Sequence, residues 1–328
     1  MLNANLKLNE KLFNKDVEKI PTRDGFGHGL EEAGQKDDKV VALCADLAES
    51  TRVHWFAEKF PKRYVELGVA EQNLATVASG MANYGKIPFI TSYATFSPGR
   101  NWEQIRTTIC INNMPVKVIG CHAGVSVGPD GATHQALEDL ALMRALPRMV
   151  VINPCDSEEA RKATLWSAQS GTPVYIRLGR EKTPSMTTKE TPFEMGKAQI
   201  FWKSKNPKVA IIATGSLLHN ALLAGKELSE EGIETAVINL HTIKPLDMAM
   251  IEYVSKIGRV VTVEEHQVAG GMGSAVAEAL VKTKPTFQEF VGVQDQFGQS
   301  GTPDELIAHY GMDTSHIKLA VKKVLKRR

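Results

Sequence analysis

The chain has 328 residues, 43% hydrophobic and 23% charged, with a formal net charge of +2 at pH 7. That much apolar material serves two ordinary domains and excludes a disordered chain, while dispersed basic residues in near balance exclude a broad nucleic-acid footprint. No run approaches the roughly 18 apolar residues of a bilayer span, and the Lys-, Asn- and Glu-rich N-terminal stretch lacks the apolar core of a signal peptide, so a soluble cytoplasmic protein without a membrane partner is expected.

From Lys39 onward, short apolar runs alternate with longer segments of helical period. Strands are expected at Val40–Cys44 and over residues 87–92, 116–120, 149–152 and 174–176, because near-continuous apolar runs suit strands buried on both faces of a parallel sheet. Helices are expected between them, over 69–84, 102–111, 134–145 and 157–169. Alternation of this kind predicts a doubly wound α/β layer structure whose ligands gather beyond the carboxyl ends of the strands. A polar stretch over 180–192 interrupts the pattern. A second α/β unit follows, with strands at Val209–Ala213 and over 236–240, 260–263 and 289–293, and helices after Ser216, Leu246 and Gly273. The fold class is α/β with two doubly wound domains, residues 1–185 and 201–328, joined by a linker over 186–200. The basic tail from Lys318 to Arg328 reads as a closing helix whose cations suit its negative C-terminal end. Cys44, Cys110, Cys121 and Cys155 show no paired spacing, which argues against a zinc site or a disulfide framework and fits a reducing compartment.

Three segments carry candidate chemistry. In Tyr64-Val-Glu-Leu-Gly-Val-Ala-Glu-Gln-Asn73 a short strand turns at Gly68 into a helix whose first turn holds Glu71. Unpaired backbone N–H groups favour a negative charge there, and an ordinary helix-start carboxylate would look the same. Tyr93 and Phe96 follow the next strand, where such rings either pack into the core or offer a face to a flat heteroaromatic ring. The loop from His122 to His134 is longer than an ordinary connection. It carries His122, Asp130 and His134 together with Gly124, Gly128 and Gly131, which permit close backbone approach. Imidazoles can relay protons near neutral pH, and the spacing His-x7-Asp-x3-His matches no common metal motif.

Taken together and in order, Gly68-Val-Ala-Glu-Gln72, Tyr93-Ala-Thr-Phe96 and Gly128-Pro-Asp-Gly-Ala-Thr-His-Gln135 resemble the pyrimidine-binding domain of transketolase and of deoxyxylulose-phosphate synthase. Thr242-Ile-Lys-Pro-Leu-Asp247, Val263-Glu-Glu265 and Gly270-Gly-Met-Gly-Ser274 resemble the family's C-terminal domain, so the likeness covers nearly the whole chain. The family's Gly-Asp-Gly motif followed by Asn, which holds diphosphate and a divalent metal, does not occur; Asp130-Gly131 follows Pro129 and belongs to the sugar-facing loop. The resemblance therefore implies the C-terminal subunit of a split, thiamine-diphosphate-dependent transketolase. It would act with a separate N-terminal diphosphate-binding subunit as an α2β2 heterotetramer, with Mg2+ or another divalent ion held by that partner.

The same resemblance implies roles for single residues. Glu71 would bond N1′ of the cofactor's aminopyrimidine, and Phe96 would stack on that ring with Tyr93 nearby. Asp130 would bond the C2 hydroxyl of the donor sugar, and His122 and His134 would contact the sugar's oxygens while a two-carbon ketol unit passes from a ketose phosphate to an aldose phosphate. Arg23, Ser50 and Arg180 would meet the phosphate, a task that suits the planar guanidinium fork, with Arg177 as the alternative to Arg180. The family commonly carries further aromatic or arginine side chains just after Phe96, where this chain has Ser97-Pro-Gly99, and Trp102 is expected to fill part of that wall. The second domain reads as an assembly domain. One rival is the beta subunit of a 2-oxo acid dehydrogenase, against which the loop from Gly128 to Gln135 speaks. Another is deoxyxylulose-phosphate synthase, disfavoured by the truncated architecture and the surroundings of His122. A catalytically silent scaffold or regulatory subunit would have no need of Glu71, Asp130 and both histidines together.

Overall fold

The computed structural model describes residues 1–327, so the last residue of the basic tail, Arg328, lies outside the described residues. Seven strands form the first sheet, in the spatial order Thr242–Lys244, Val150–Ile152, Val174–Arg177, Lys117–Cys121, Ile87–Tyr93, Val40–Cys44 and Tyr64–Glu66. All pair in parallel except Thr242–Lys244, which runs antiparallel to Val150–Ile152. Every residue of Val40–Cys44 and Lys117–Cys121 is buried, the two-sided burial that makes such strands read as unbroken apolar runs. The second sheet runs Phe287–Val293, Arg259–Gln267, Val209–Ala213, Thr235–Asn239 and Gln199–Lys203, the last antiparallel. Lys19–Pro21 and Lys182–Pro184 pair as a small antiparallel ribbon, so the polar stretch after residue 180 is ordered against the start of the chain. The first residues lie on the second sheet: the Asn3 N–H donates to the Phe201 carbonyl, and Leu12 is buried in that sheet's core.

The helix Ser157–Gln169 forms as expected, opened by Asp156, whose side chain accepts from the Glu159 N–H. Two expected helices differ. Of residues 134–145 only Asp139–Arg144 is helical. Ahead of it the Gln135 amide donates to the carbonyls of Val125, Gly128 and Gln299, and Ala136 pairs with Ala123, so side chain and bridge hold this stretch as a loop. Residues 102–111 begin as a helix over Trp102–Gln104 and widen into a π-type turn over Ile105–Cys110. A helix without a counterpart in the sequence reading, Thr22–Lys36, packs closely on Ser157–Gln169; a Cβ on its Gly25 would lie 1.8 Å from the Ser157 carbonyl oxygen.

One core cluster joins the two sheets. Leu43 and Ile90 of the first belong to the same buried cluster as Ile212 and Ile238 of the second, with Leu74, Met272 and Val276 from helices between. The closing helix spans Thr314–Leu325, and its Lys318, Lys322 and Lys323 pair with Glu227, Glu231 and Glu289 rather than standing free. Among the described residues no helix is long and apolar enough to cross a membrane.

Candidate functional site

The carboxyl ends of the parallel strands in the first sheet face one rim, where such folds collect ligands. The segment after Val40–Cys44 brings Ser50 there, the turn after Tyr64–Glu66 brings Glu71, Ile87–Tyr93 ends on Tyr93 with Phe96 just beyond, and His122 follows Lys117–Cys121. Glu71 is the first residue of the helix Glu71–Asn83 and only 4% exposed. Its Oε1 accepts from Arg100 Nη1 at 2.8 Å. The Arg100 guanidinium lies 4.0 Å from the centroid of the Phe96 ring, within cation–π range. Tyr93 is stacked at 5.8 Å from Phe96 and at 3.9 Å from His122, and His134 meets Phe96 edge-on at 5.5 Å. Both histidines of the long loop and both aromatic residues thus form one cluster.

Beside it lies a cavity of 260 Å³ lined by Arg23, Glu49, Ser50, Arg52, Tyr93, His122, Asp130 and Arg180. Arg23 Nη1 donates to the Ser50 carbonyl at 2.9 Å and lies 3.3 Å from His122 Nε2. Arg180 Nη1 donates to the Val127 carbonyl at 2.7 Å and lies 3.6 Å from Asp130 Oδ1. Arg177 points elsewhere: it is buried and committed to Asp139 and to the carbonyls of Ala136 and Glu265. Of the two arginines left open in the sequence, Arg180 is the one at the cavity. Burial, and then the positive charges of Arg23, Arg180 and Arg52, push the His122 imidazole down to about 3. A proton NMR titration should therefore show the His122 resonance, assigned with a His122→Asn variant, unmoved from pH 8 to pH 5; a midpoint near 6.5 would mean that the ring is neither dry nor ringed by cations.

Sequence reasoning missed three residues. Trp102 does not form the wall after Phe96: its indole donates to the Leu142 carbonyl and its ring packs on the main core, while Arg100, folded back by the turn before it, lies over Phe96. Glu265, from the second domain, accepts the Ser126 N–H at 2.6 Å and so holds the floor of the His122–His134 loop. Asp139 anchors Arg177. The signal for Glu265 was present: two adjacent carboxylates inside the apolar run Val260-Val-Thr-Val-Glu-Glu265 mark buried, partnered charges.

Residues 18–186 match the family described as transketolase, pyrimidine binding domain, and residues 196–317 the one described as transketolase, C-terminal domain. A Methanocaldococcus jannaschii protein named as a transketolase C-terminal section is 40% identical, covering 93% of this chain and 96% of its own. A 6-deoxy-6-sulfo-D-fructose transketolase subunit of a Clostridium species is 38% identical, over 96% and 98% respectively. Among solved structures, a split gene transketolase, described as an inactive beta4 tetramer, superposes with a TM-score of 0.86 at 43% identity, covering 93% of this chain and 98% of that one. The chain belongs to the transketolase family, as a split-transketolase-type subunit that carries the pyrimidine-binding and C-terminal domains.

Proposed function

We propose that this chain supplies the pyrimidine- and sugar-binding face of a thiamine-diphosphate-dependent ketol transferase, working in a cytoplasmic α2β2 assembly with a separate subunit that holds the diphosphate and its divalent ion. The observation that carries the reading is the single rim on which a buried carboxylate, Glu71, lies beside an aromatic face, Phe96, and next to a cavity holding Arg23, Asp130, His122 and Arg180. That donor set fits the cofactor, because Glu71 and Phe96 together already accept a planar, nitrogen-bearing cation in the form of the Arg100 guanidinium. The cofactor, when bound, supplies the carbon nucleophile and electron sink that side chains lack. Free, buried cysteines suit a reducing compartment.

Glu71 would hold a proton at N1′ of the aminopyrimidine and thereby set its tautomer. Asp130 would accept from a donor hydroxyl, and His122, kept neutral by its surroundings, would orient sugar oxygens as a hydrogen-bonding group and not as a cation. His134, bonded to the Thr133 hydroxyl at 2.9 Å, would meet the sugar from the other side of the aromatic cluster. Arg23 and Arg180 would grip the phosphate of a ketose or aldose phosphate through charge-assisted bonds.

The test is to purify the chain with its diphosphate-binding partner and assay ketol transfer. Decarboxylation of a 2-oxo acid with no transfer from a ketose phosphate would favour the dehydrogenase-type rival and overturn the reading. In the active assembly, Arg180→Ala should raise KM for phosphorylated donors roughly ten- to hundredfold, the worth of one charge-assisted hydrogen bond, and leave an unphosphorylated ketol donor nearly unaffected. An equal loss for both donors would detach Arg180 from the phosphate.

A further inference from the structure

Arg100 has a place in this site that the roles above do not use. The turn after Ile87–Tyr93 folds back on itself, with the Ser97 N–H donating to the Tyr93 carbonyl and the Arg100 N–H to the Phe96 carbonyl, both at 2.8 Å. Asn101, fully buried, fastens this turn to the helix start by donating from Nδ2 to the Glu71 carbonyl and to Ser97 Oγ. The backbone of the turn is therefore fixed against Glu71. The Arg100 side chain is not: it is 48% exposed, and among the described residues its one side-chain hydrogen bond is the 2.8 Å contact to Glu71 Oε1.

The two groups that the guanidinium touches are the two that the proposed cofactor needs. A planar donor with one edge on the Glu71 carboxylate and its face on Phe96 describes Arg100 as it stands, and it equally describes an aminopyrimidine in the role assigned above. Tyr93, stacked on Phe96, limits access to the rest of that ring. Two flat groups cannot share one carboxylate edge and one ring face at van der Waals thickness. Resting on the reading that Glu71 and Phe96 seat the pyrimidine, we infer that Arg100 is a gating residue: it fills the pyrimidine seat, keeps the charge of Glu71 paired, and swings into solvent as the cofactor enters.

A carboxylate as buried as Glu71 is costly to leave unpaired, so the gate stabilises the chain before loading. It also reduces apparent cofactor affinity by the fraction of molecules in which the seat is open. The exposed side chain makes this reversible, since swinging it out breaks one ion pair and one ring contact and disturbs no buried packing.

The experiment compares wild type, Arg100→Ala and Arg100→Lys, each assembled with the diphosphate-binding partner and Mg2+. Association of thiamine diphosphate is followed by stopped-flow protein fluorescence, and Kd by calorimetry; elution volume and melting curve confirm that each variant is folded and assembled. Arg100→Ala should associate roughly tenfold faster and bind more tightly. Arg100→Lys, which keeps the charge but loses the planar fork, should fall between. Binding by wild type that Arg100→Ala leaves unchanged or weakens overturns the gate and leaves the cofactor reading standing, whereas no binding by any of the three overturns that reading and the gate with it.

Discussion

Glu71→Gln in the assembled enzyme should lower turnover roughly 10²–10⁴-fold, the usual worth of a positioned proton-transfer group, without changing the elution volume of the complex. The substitution conserves side-chain volume at a site 4% exposed, so the helix Glu71–Asn83 keeps its packing. What disappears is the charge that pairs with Arg100 and, on the proposed reading, the carboxylate that would hold a proton at N1′. A glutamine variant that turns over like wild type would show that the working carboxylate lies elsewhere.

A second large effect is expected away from the rim, in stability. Asp139 Oδ2 accepts from the Tyr175 hydroxyl at 2.7 Å and from Arg177 Nε at 2.8 Å, all three side chains buried. Arg177 Nη2 donates to the carbonyls of Ala136 and Glu265, so one guanidinium ties the stretch just after the His122–His134 loop to the second domain. Asp139→Ala would leave that guanidinium charged and buried without its counter-ion, a change worth about 3–5 kcal/mol, to be read as a lower urea midpoint with an unchanged slope. A loss under about 1 kcal/mol would mean that the neighbouring carbonyls satisfy Arg177 unaided.

Much of the architecture was legible because the inner strands of the first sheet are buried on both faces. Val40–Cys44 and Val174–Arg177 carry no residue facing water, and an apolar run bounded by polar turns has few other readings. The helix Thr22–Lys36 was hidden by Gly25, Gly27, Gly29 and Gly34, which lower helix propensity. Its partners Ser157, Trp55 and Phe56 come so close that a Cβ at Gly25, Gly27 or Gly34 would overlap them; the cause is tertiary, and local sequence does not carry it. The stretch before Asp139 has helical period, yet the long-range bond from Gln135 to Gln299 holds it open. At the site, the order of motifs pointed to Glu71, Phe96 and the loop residues, which do meet on one rim. Arg100 escaped notice because its place depends on a back-folded turn, and the presence of two candidate arginines, Arg177 and Arg180, could be sorted only by seeing which one faces Asp139.

The strand Thr242–Lys244 belongs by sequence to the second domain but finishes the edge of the first sheet, against Val150–Ile152. During synthesis the ribosome releases six parallel strands of that sheet well before the seventh. Until Thr242–Lys244 emerges, Val150–Ile152 stands as an open edge with unpaired backbone groups, a template for wrong partners. Domains that fold vectorially, N-terminal first, would here halt one strand short, so the nascent first domain must wait for its successor, and the time a ribosome takes to reach Lys244 sets how long that edge is exposed to other chains and to chaperones.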